Sequence, residues 1–171
     1  TDLYVDSLVR ELAIYAQAPA LAGRALAFVY FGGGTPSILS PAQIRRCLGD
    51  LQRIFPWNSA QEVTFECAPQ SATKPRLRVL RDYGVSRISL GVQQLNDGVL
   101  EKNGRIHRVR DVERAYAAIR YVGFEVVNVD LMVGMVSVVL VPLAPETPRL
   151  VMVRVAASAM SSARPAASST R

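Results

Sequence analysis

A chain of 171 residues, half of them apolar and with a formal charge of +6, can bury one substantial core and no more than about one domain. The charge arises from 18 Arg and 2 Lys (Lys74, Lys102) against 14 acids, divided as 16 bases and 13 acids through residue 130 and 4 bases and 1 acid after it; without a basic stripe interleaved with aromatics, nucleic-acid binding is not expected. The longest uncharged apolar run, residues 131–144, is shorter than the roughly 18 residues of a membrane span, and no basic-then-apolar signal opens the chain, so the reading is cytoplasmic, with no membrane partner.

In chain order, residues 4–17 place Leu8, Leu12 and Tyr15 at helical spacing, with Arg10 and Glu11 toward solvent, until Pro19 and Gly23 end the pattern. A domain that opens on a helix with no strand ahead of it reads as truncated at its N-terminus. Residues 25–31 (ALAFVYF) form a continuous apolar and aromatic run, the length of a strand buried on both faces. Gly32, Gly33 and Gly34 follow at once, then Thr35 and Pro36, and Ser40-Pro41 opens a helix as N-cap and first residue. Three consecutive glycines let backbone N–H and C=O groups approach a ligand, at an entropic cost an ordinary turn does not need.

Residues 42–55 repeat apolar positions at Ile44, Leu48, Leu51 and Ile54, with Arg45, Arg46 and Arg53 outside and Cys47 on the buried side. Cys67 stands twenty residues further on, and neither cysteine makes a close metal-ligand pair with the other or with the lone His107, which reads as an exposed loop residue. Residues 62–67 (EVTFEC) alternate as a strand ending in Glu66; residues 74–83 form a short helix stopped by Gly84. Residues 85–92 (VSRISLGV) are the next strand, with Gln93 and Gln94 just beyond it. A brief helical turn at 96–102, a polar loop at 103–107 and a helix at 110–122 ended by Gly123 lead to a strand at 125–133 (EVVNVDLMV) that carries Asp130 near its end.

Strand and helix therefore alternate four times, with the last helix missing, which implies a parallel sheet joined by right-handed crossovers. Each strand delivers a polar group at its carboxyl end: the glycine loop, Glu66, Gln93, Asp130. In parallel α/β folds ligands sit at that edge. Beyond Gly134 the composition turns to Val, Ala, Ser, Pro and Arg, with Glu146 the single acid and no aromatic after Phe124. Two β-prone runs, 136–141 and 150–155, lack the pattern of a covering helix, and residues 156–171 are low in complexity and expected to be disordered.

The glycine loop does not fit a P-loop, which requires a Lys after its last Gly, whereas Thr35 follows Gly34. A dinucleotide fingerprint needs Gly at position 37, where Ser37 stands; a tight structural turn is the bland alternative, and the polar ends of the other strands weigh against it. Taken together, Tyr30-Phe-Gly-Gly-Gly-Thr-Pro-Ser37, Glu66-Cys-Ala-Pro69, Ser89-Leu-Gly-Val-Gln93, Gly104-Arg-Ile-His107 and Asn128-Val-Asp-Leu131 resemble, in order and spacing, the oxygen-independent coproporphyrinogen III oxidase family of radical S-adenosylmethionine enzymes. The resemblance covers residues 4–134 and implies a partial (βα)6 barrel, here cut to about four strand-helix units: a radical S-adenosylmethionine core over residues 1–134 and a divergent tail over 135–171.

The resemblance implies that Gly33, Gly34 and Thr35 meet the methionyl end of S-adenosylmethionine and that Arg105 grips its carboxylate, as a guanidinium can do bidentately. Glu66, Gln93 and Asp130 are then the acceptors for its ammonium or ribose hydroxyls. No catalytic residue is assigned. Without the family, Arg105 reads as a surface loop cation. The family also carries a Cys-x3-Cys-x2-Cys loop after its first strand, whose thiolates hold a [4Fe–4S] cluster that an electron donor reduces; this sequence has no such loop. Residues from Gly134 onward depart from the family too, and the excess of Arg over Lys fits an out-of-frame tail in a GC-rich gene better than a divergent paralogue. The implied substrate is a porphyrinogen, whose propionates lose carbon dioxide to become vinyl groups after hydrogen abstraction. A heme chaperone and a radical methyltransferase are the alternatives, and the chain alone is expected to be inactive.

Overall fold

A computed structural model describes residues 2–21, 23–133 and 135, and the backbone of residues 151–157. Helix α1 (Asp2–Tyr15) turns Val5, Leu8, Val9 and Leu12 toward the core. Tyr15, expected on that inward stripe, is instead 51% exposed and donates its hydroxyl to Glu11 one turn back.

Strand β1 (Phe28–Phe31) leads into the glycine loop and a short 3-10 turn at Pro36–Ile38. Helix α2 (Pro41–Ile54) begins on a reciprocal capping box, in which the Ser40 hydroxyl accepts from the Gln43 N–H and the Gln43 side chain accepts from the Ser40 N–H. Strand β2 (Glu62–Cys67), helix α3 (Lys74–Asp82), strand β3 (Arg87–Gln93), helices α4 (Asp97–Lys102) and α5 (Val109–Val122) and strand β4 (Val126–Val133) follow in the alternating order the sequence predicts. All four strands pair in parallel in the order β1-β2-β3-β4.

Alternation along the strands separates two faces. Val63, Phe65 and Cys67 of β2, Ile88, Leu90 and Val92 of β3 and Val127 of β4 join Ile44, Leu48, Leu51, Leu77, Leu80 and Ile119 of the helices in one core. Burying side chains of this size contributes roughly 1.5–3 kcal/mol each, which is what fixes the strand register. Trp57 closes one end: its ring meets Phe31 edge-on at 5.6 Å, and its indole N–H donates to the Tyr83 carbonyl at 2.9 Å. The opposite face is polar, with Thr64, Ser89 and Asn128 buried in it.

Two expectations are corrected here. The first strand is not buried on both faces: Phe28 and Tyr30 are 67% and 54% exposed, because β1 lies at one end of the strand order and only Val29 and Phe31 face the helices. Strand structure also extends into the tail, since β5 (Val151–Ala157) pairs in parallel with β4 from Val127↔Val151 to Val133↔Ala157. The β-prone run at 150–155 thus becomes a strand, and it continues through two alanines of the segment expected to be disordered. The remaining readings of the tail fall outside the described residues.

Candidate functional site

The carboxyl ends of β2, β3 and β4, the glycine loop and the loop after α4 enclose a cleft of about 340 Å³. Gly34, Thr35, Glu66, Gln93, Arg105 and Asp130 all line it. Gly33 is not among the residues that line it; it faces a neighbouring apolar pocket and is tied to the cleft through its N–H, which donates to Glu66 Oε2 at 3.2 Å. Residues spread over about a hundred positions of sequence are brought together because parallel strands place all their carboxyl ends on one side.

The glycine loop is shaped by close approach. A Cβ on Gly32 would lie 2.5 Å from Tyr30 Cε1 and 2.9 Å from Glu66 Cδ, whereas Gly33 and Gly34 take φ of +86° and +69°, a region where side chains are strained. The loop is latched from below by Ser37, which is 1% exposed. Its hydroxyl accepts the Ala68 N–H at 3.0 Å and lies 2.6 Å from the Ser71 hydroxyl. Glu66 is thereby held from two sides, by the Tyr30 O–H on Oε1 at 2.5 Å and by the Gly33 N–H on Oε2.

Asp130 is held in the same manner. Ser89 donates its hydroxyl to Oδ2 at 2.8 Å, Asn128 donates an amide N–H to Oδ1 at 2.8 Å, and the Asn128 amide also reaches Ser89 Oγ at 3.2 Å. Ser89 and Asn128 face each other across the β3–β4 register, and Ser89 faces Glu66 across β2–β3. Among the described residues each oxygen of these two carboxylates accepts one internal hydrogen bond, which leaves acceptor capacity for a ligand.

Arg105 comes in from the opposite wall. Helix α4 ends at Asn103 and Gly104, and the Arg105 N–H donates back to the Leu100 carbonyl at 2.9 Å, which turns the side chain over the cleft. One terminal nitrogen lies 3.3 Å from Met132 Sδ, while its Nε is buried with no hydrogen-bond partner among the described residues. A buried guanidinium edge left unmet is costly unless a ligand supplies an acceptor. The side chain is therefore a wall of the cleft and not the surface loop cation that the residues read without their family resemblance suggest.

His107 is a correction as well: it is 5% exposed and its Nε2 lies 2.9 Å from the Val92 carbonyl, so it is a buried member of the cleft wall. Sequence reasoning also passes over Tyr30, Ser89 and Asn128 as functional side chains. The signal for the last two is present, because the period-2 alternation of RISLGVQ and VVNVDLMV puts them on the same face as Gln93 and Asp130.

Among the described residues no three His, Cys, Asp or Glu side chains come together as a metal-binding group. Cys47 and Cys67 are both buried free thiols, on α2 and β2. Burial pushes the Cys67 thiol up to about 12 against hydrogen bonding from Ser37, and burial likewise raises Cys47. No helix among the described residues is long and apolar enough to cross a membrane.

The family model of the Radical SAM superfamily matches residues 6–138. The heme chaperone HemW of Bacillus subtilis (strain 168) is 34% identical over 136 residues, covering 78% of this chain and 35% of its own. The oxygen-independent coproporphyrinogen III oxidase of Escherichia coli (strain K12) is 36% identical over 137 residues, covering 78% of this chain and 29% of its own. The solved structure of the Escherichia coli coproporphyrinogen III oxidase HemN, described as a radical SAM enzyme, superposes with a TM-score of 0.69 at 34% identity over 78% of this chain and 30% of that one. The chain spans about a third of the length of the curated relatives it matches.

Proposed function

The chain belongs to the radical SAM superfamily, and from that premise we propose that it is the S-adenosylmethionine-binding part of an oxidoreductase acting on a porphyrinogen. The observation that carries the reading is the convergence of two anchored carboxylates, one amide and a guanidinium with an unmet buried nitrogen on one cleft beside a glycine loop. The donor set fits the cofactor. Its carboxylate suits Arg105, its ammonium suits Glu66 and its ribose hydroxyls suit Gln93 and Asp130, while, among the described residues, two carboxylates against one guanidinium complement its net positive charge.

When bound, S-adenosylmethionine supplies the one-electron chemistry by which the superfamily abstracts hydrogen from a substrate. The residues of this chain hold and orient it. Tyr30 and Gly33 fix the Glu66 carboxylate, Ser89 and Asn128 fix that of Asp130, and the loop glycines let the methionyl end approach the backbone. Such preorganisation is the protein's share of cofactor chemistry. A [4Fe–4S] cluster does not fit the residues present, since two buried cysteines on separate elements cannot supply three thiolates.

Relatives named coproporphyrinogen III oxidase support a porphyrinogen as the substrate class; oxidative decarboxylation of its propionates, an electron donor and a cytoplasmic setting belong to the same proposal. A heme chaperone is the second reading, favoured by the equal similarity to HemW; heme titration of a protein that includes this chain separates the two. Equilibrium dialysis with labelled S-adenosylmethionine tests the cofactor site. Saturable one-site binding, weakened roughly tenfold or more in Arg105→Ala by loss of a charged hydrogen bond, is expected. Absence of saturable binding overturns the proposal. Anaerobic reconstitution with iron and sulfide is expected to give no stable cluster absorption, and a clean [4Fe–4S] spectrum contradicts that part.

A further inference from the structure

Gln93 is the one non-glycine residue at positive φ among the described residues, at 68°. The Gln94 N–H donates to the Val92 carbonyl at 2.8 Å, so Gln93 is the centre of a γ-turn of the rare, strained hand. The register between β3 and β4 shifts between Leu90 and Gln93, which takes the turn out of the regular ladder. Such a conformation persists only where its surroundings over-determine it.

The surroundings include a second donor to the same carbonyl. His107 Nε2 lies 2.9 Å from Val92 O, in a buried position; a carbonyl oxygen only accepts, so Nε2 carries the hydrogen. His107 is also two residues from Arg105, on a segment tied at both ends. Arg105 N–H bonds back to α4, the Arg108 guanidinium reaches the Arg105 carbonyl at 3.1 Å, and the Arg108 N–H bonds Asp111 of α5 at 2.9 Å. The Gln93 side chain folds back over β3, where a Cβ on Gly91 would meet its Nε2 at 3.0 Å.

We propose that His107 is a positioning residue. Through one hydrogen bond to Val92 it holds the strained turn that aims Gln93 and fastens to it the loop that carries Arg105, so that two walls of the cleft keep one spacing. This role rests on the reading of the cleft as an S-adenosylmethionine site. His107 itself touches no ligand in this scheme.

Two variants of the full chain test it: His107→Leu, which keeps bulk and removes the donor, and His107→Gln, whose amide N–H can replace Nε2–H. The first readout needs no ligand, being the nitrogen and proton resonances of the Gln93 side-chain amide and the Arg105 Nε–H. Both are expected to move in His107→Leu and to return toward wild type in His107→Gln. Affinity for S-adenosylmethionine is expected to fall roughly tenfold in His107→Leu, the worth of one well-placed hydrogen bond, and to recover in His107→Gln. Unmoved Gln93 and Arg105 resonances in His107→Leu, or equal losses in both variants, overturn the proposal. Should the wild-type chain bind no S-adenosylmethionine, the cofactor reading fails, and the ligand-free resonances still decide the role of His107. Should His107→Leu not fold, the ring tautomer of the wild type decides: hydrogen on Nε2 is expected, and a bare Nε2 refutes the strut.

Discussion

Gly32→Ala separates the needs of the cleft from those of the fold. A Cβ there would stand 2.5 Å from Tyr30 Cε1 and 2.9 Å from Glu66 Cδ, where ordinary contact begins at 3.4 Å. The tyrosine ring must retreat by the difference, about 0.9 Å, and the carboxyl group by about 0.5 Å. Both are side-chain ends, so the backbone can stay and the cost to stability is below about 1 kcal/mol. The Tyr30–Glu66 hydrogen bond does not survive that displacement, and the ligand loses a fixed carboxylate. A ligand's charged hydrogen bond to that carboxylate is worth about 1.5–3 kcal/mol, or roughly ten- to a hundredfold in affinity, whereas the Tyr30–Glu66 bond joins exposed groups and adds little to the fold. Gly123→Ala is the converse. Its Cβ would meet nothing within 4 Å, but φ is +93°, so the strain is about 1–2 kcal/mol, a fall of several degrees in Tm, at the far end of β4 from the cleft. Thermal melts and S-adenosylmethionine dialysis on both variants form the assay. Wild-type binding by Gly32→Ala, or a melt as low as that of Gly123→Ala, contradicts this division between cleft and fold.

Other outcomes follow from buried groups. Cys67 has its thiol raised from 9.0 to about 12. Between those values the unfolded chain loses a proton that the native state keeps, so stability falls as pH rises above about 9, at most at about 1.4 kcal/mol per unit; Cys47 is shifted in the same sense. Urea titrations across alkaline pH should show this slope, and Cys67→Val should flatten it; an unchanged slope refutes the assignment. Ser89→Ala removes the donor to Asp130 Oδ2 and an acceptor of the Asn128 amide in a buried cluster. A loss of about 1–3 kcal/mol in urea, with weaker cofactor binding, is expected, and a neutral variant contradicts the anchoring role of Ser89.

Much of this arrangement is legible in the sequence because it rests on local rules. The helix start at Ser40-Pro41, the helix stops at Gly84 and Gly123 and the alternation of EVTFEC each announce an element, and parallel pairing then forces Glu66, Gln93 and Asp130 to one edge. What escapes is what depends on partners distant in sequence. The exposure of Tyr30 comes from the place of β1 at the end of the strand order, and its hydroxyl finds a use only because Glu66 stands beside it. His107 looks like an exposed loop residue until β3 and the α4–α5 loop meet. Tyr15 fails for a local reason, since its hydroxyl bonds Glu11 in solvent instead of joining the inward stripe.

Whether Arg105 reads the carboxylate of S-adenosylmethionine is measured most directly by a cycle of two ligands and two proteins. Affinities of the wild-type chain and Arg105→Leu are compared for S-adenosylmethionine and for its decarboxylated analogue. The wild-type chain is predicted to favour the carboxylate by roughly ten- to a hundredfold, the worth of a charged hydrogen bond, and Arg105→Leu to bind both ligands alike. Equal binding of the two ligands by the wild-type chain, or a preference that persists in Arg105→Leu, contradicts it.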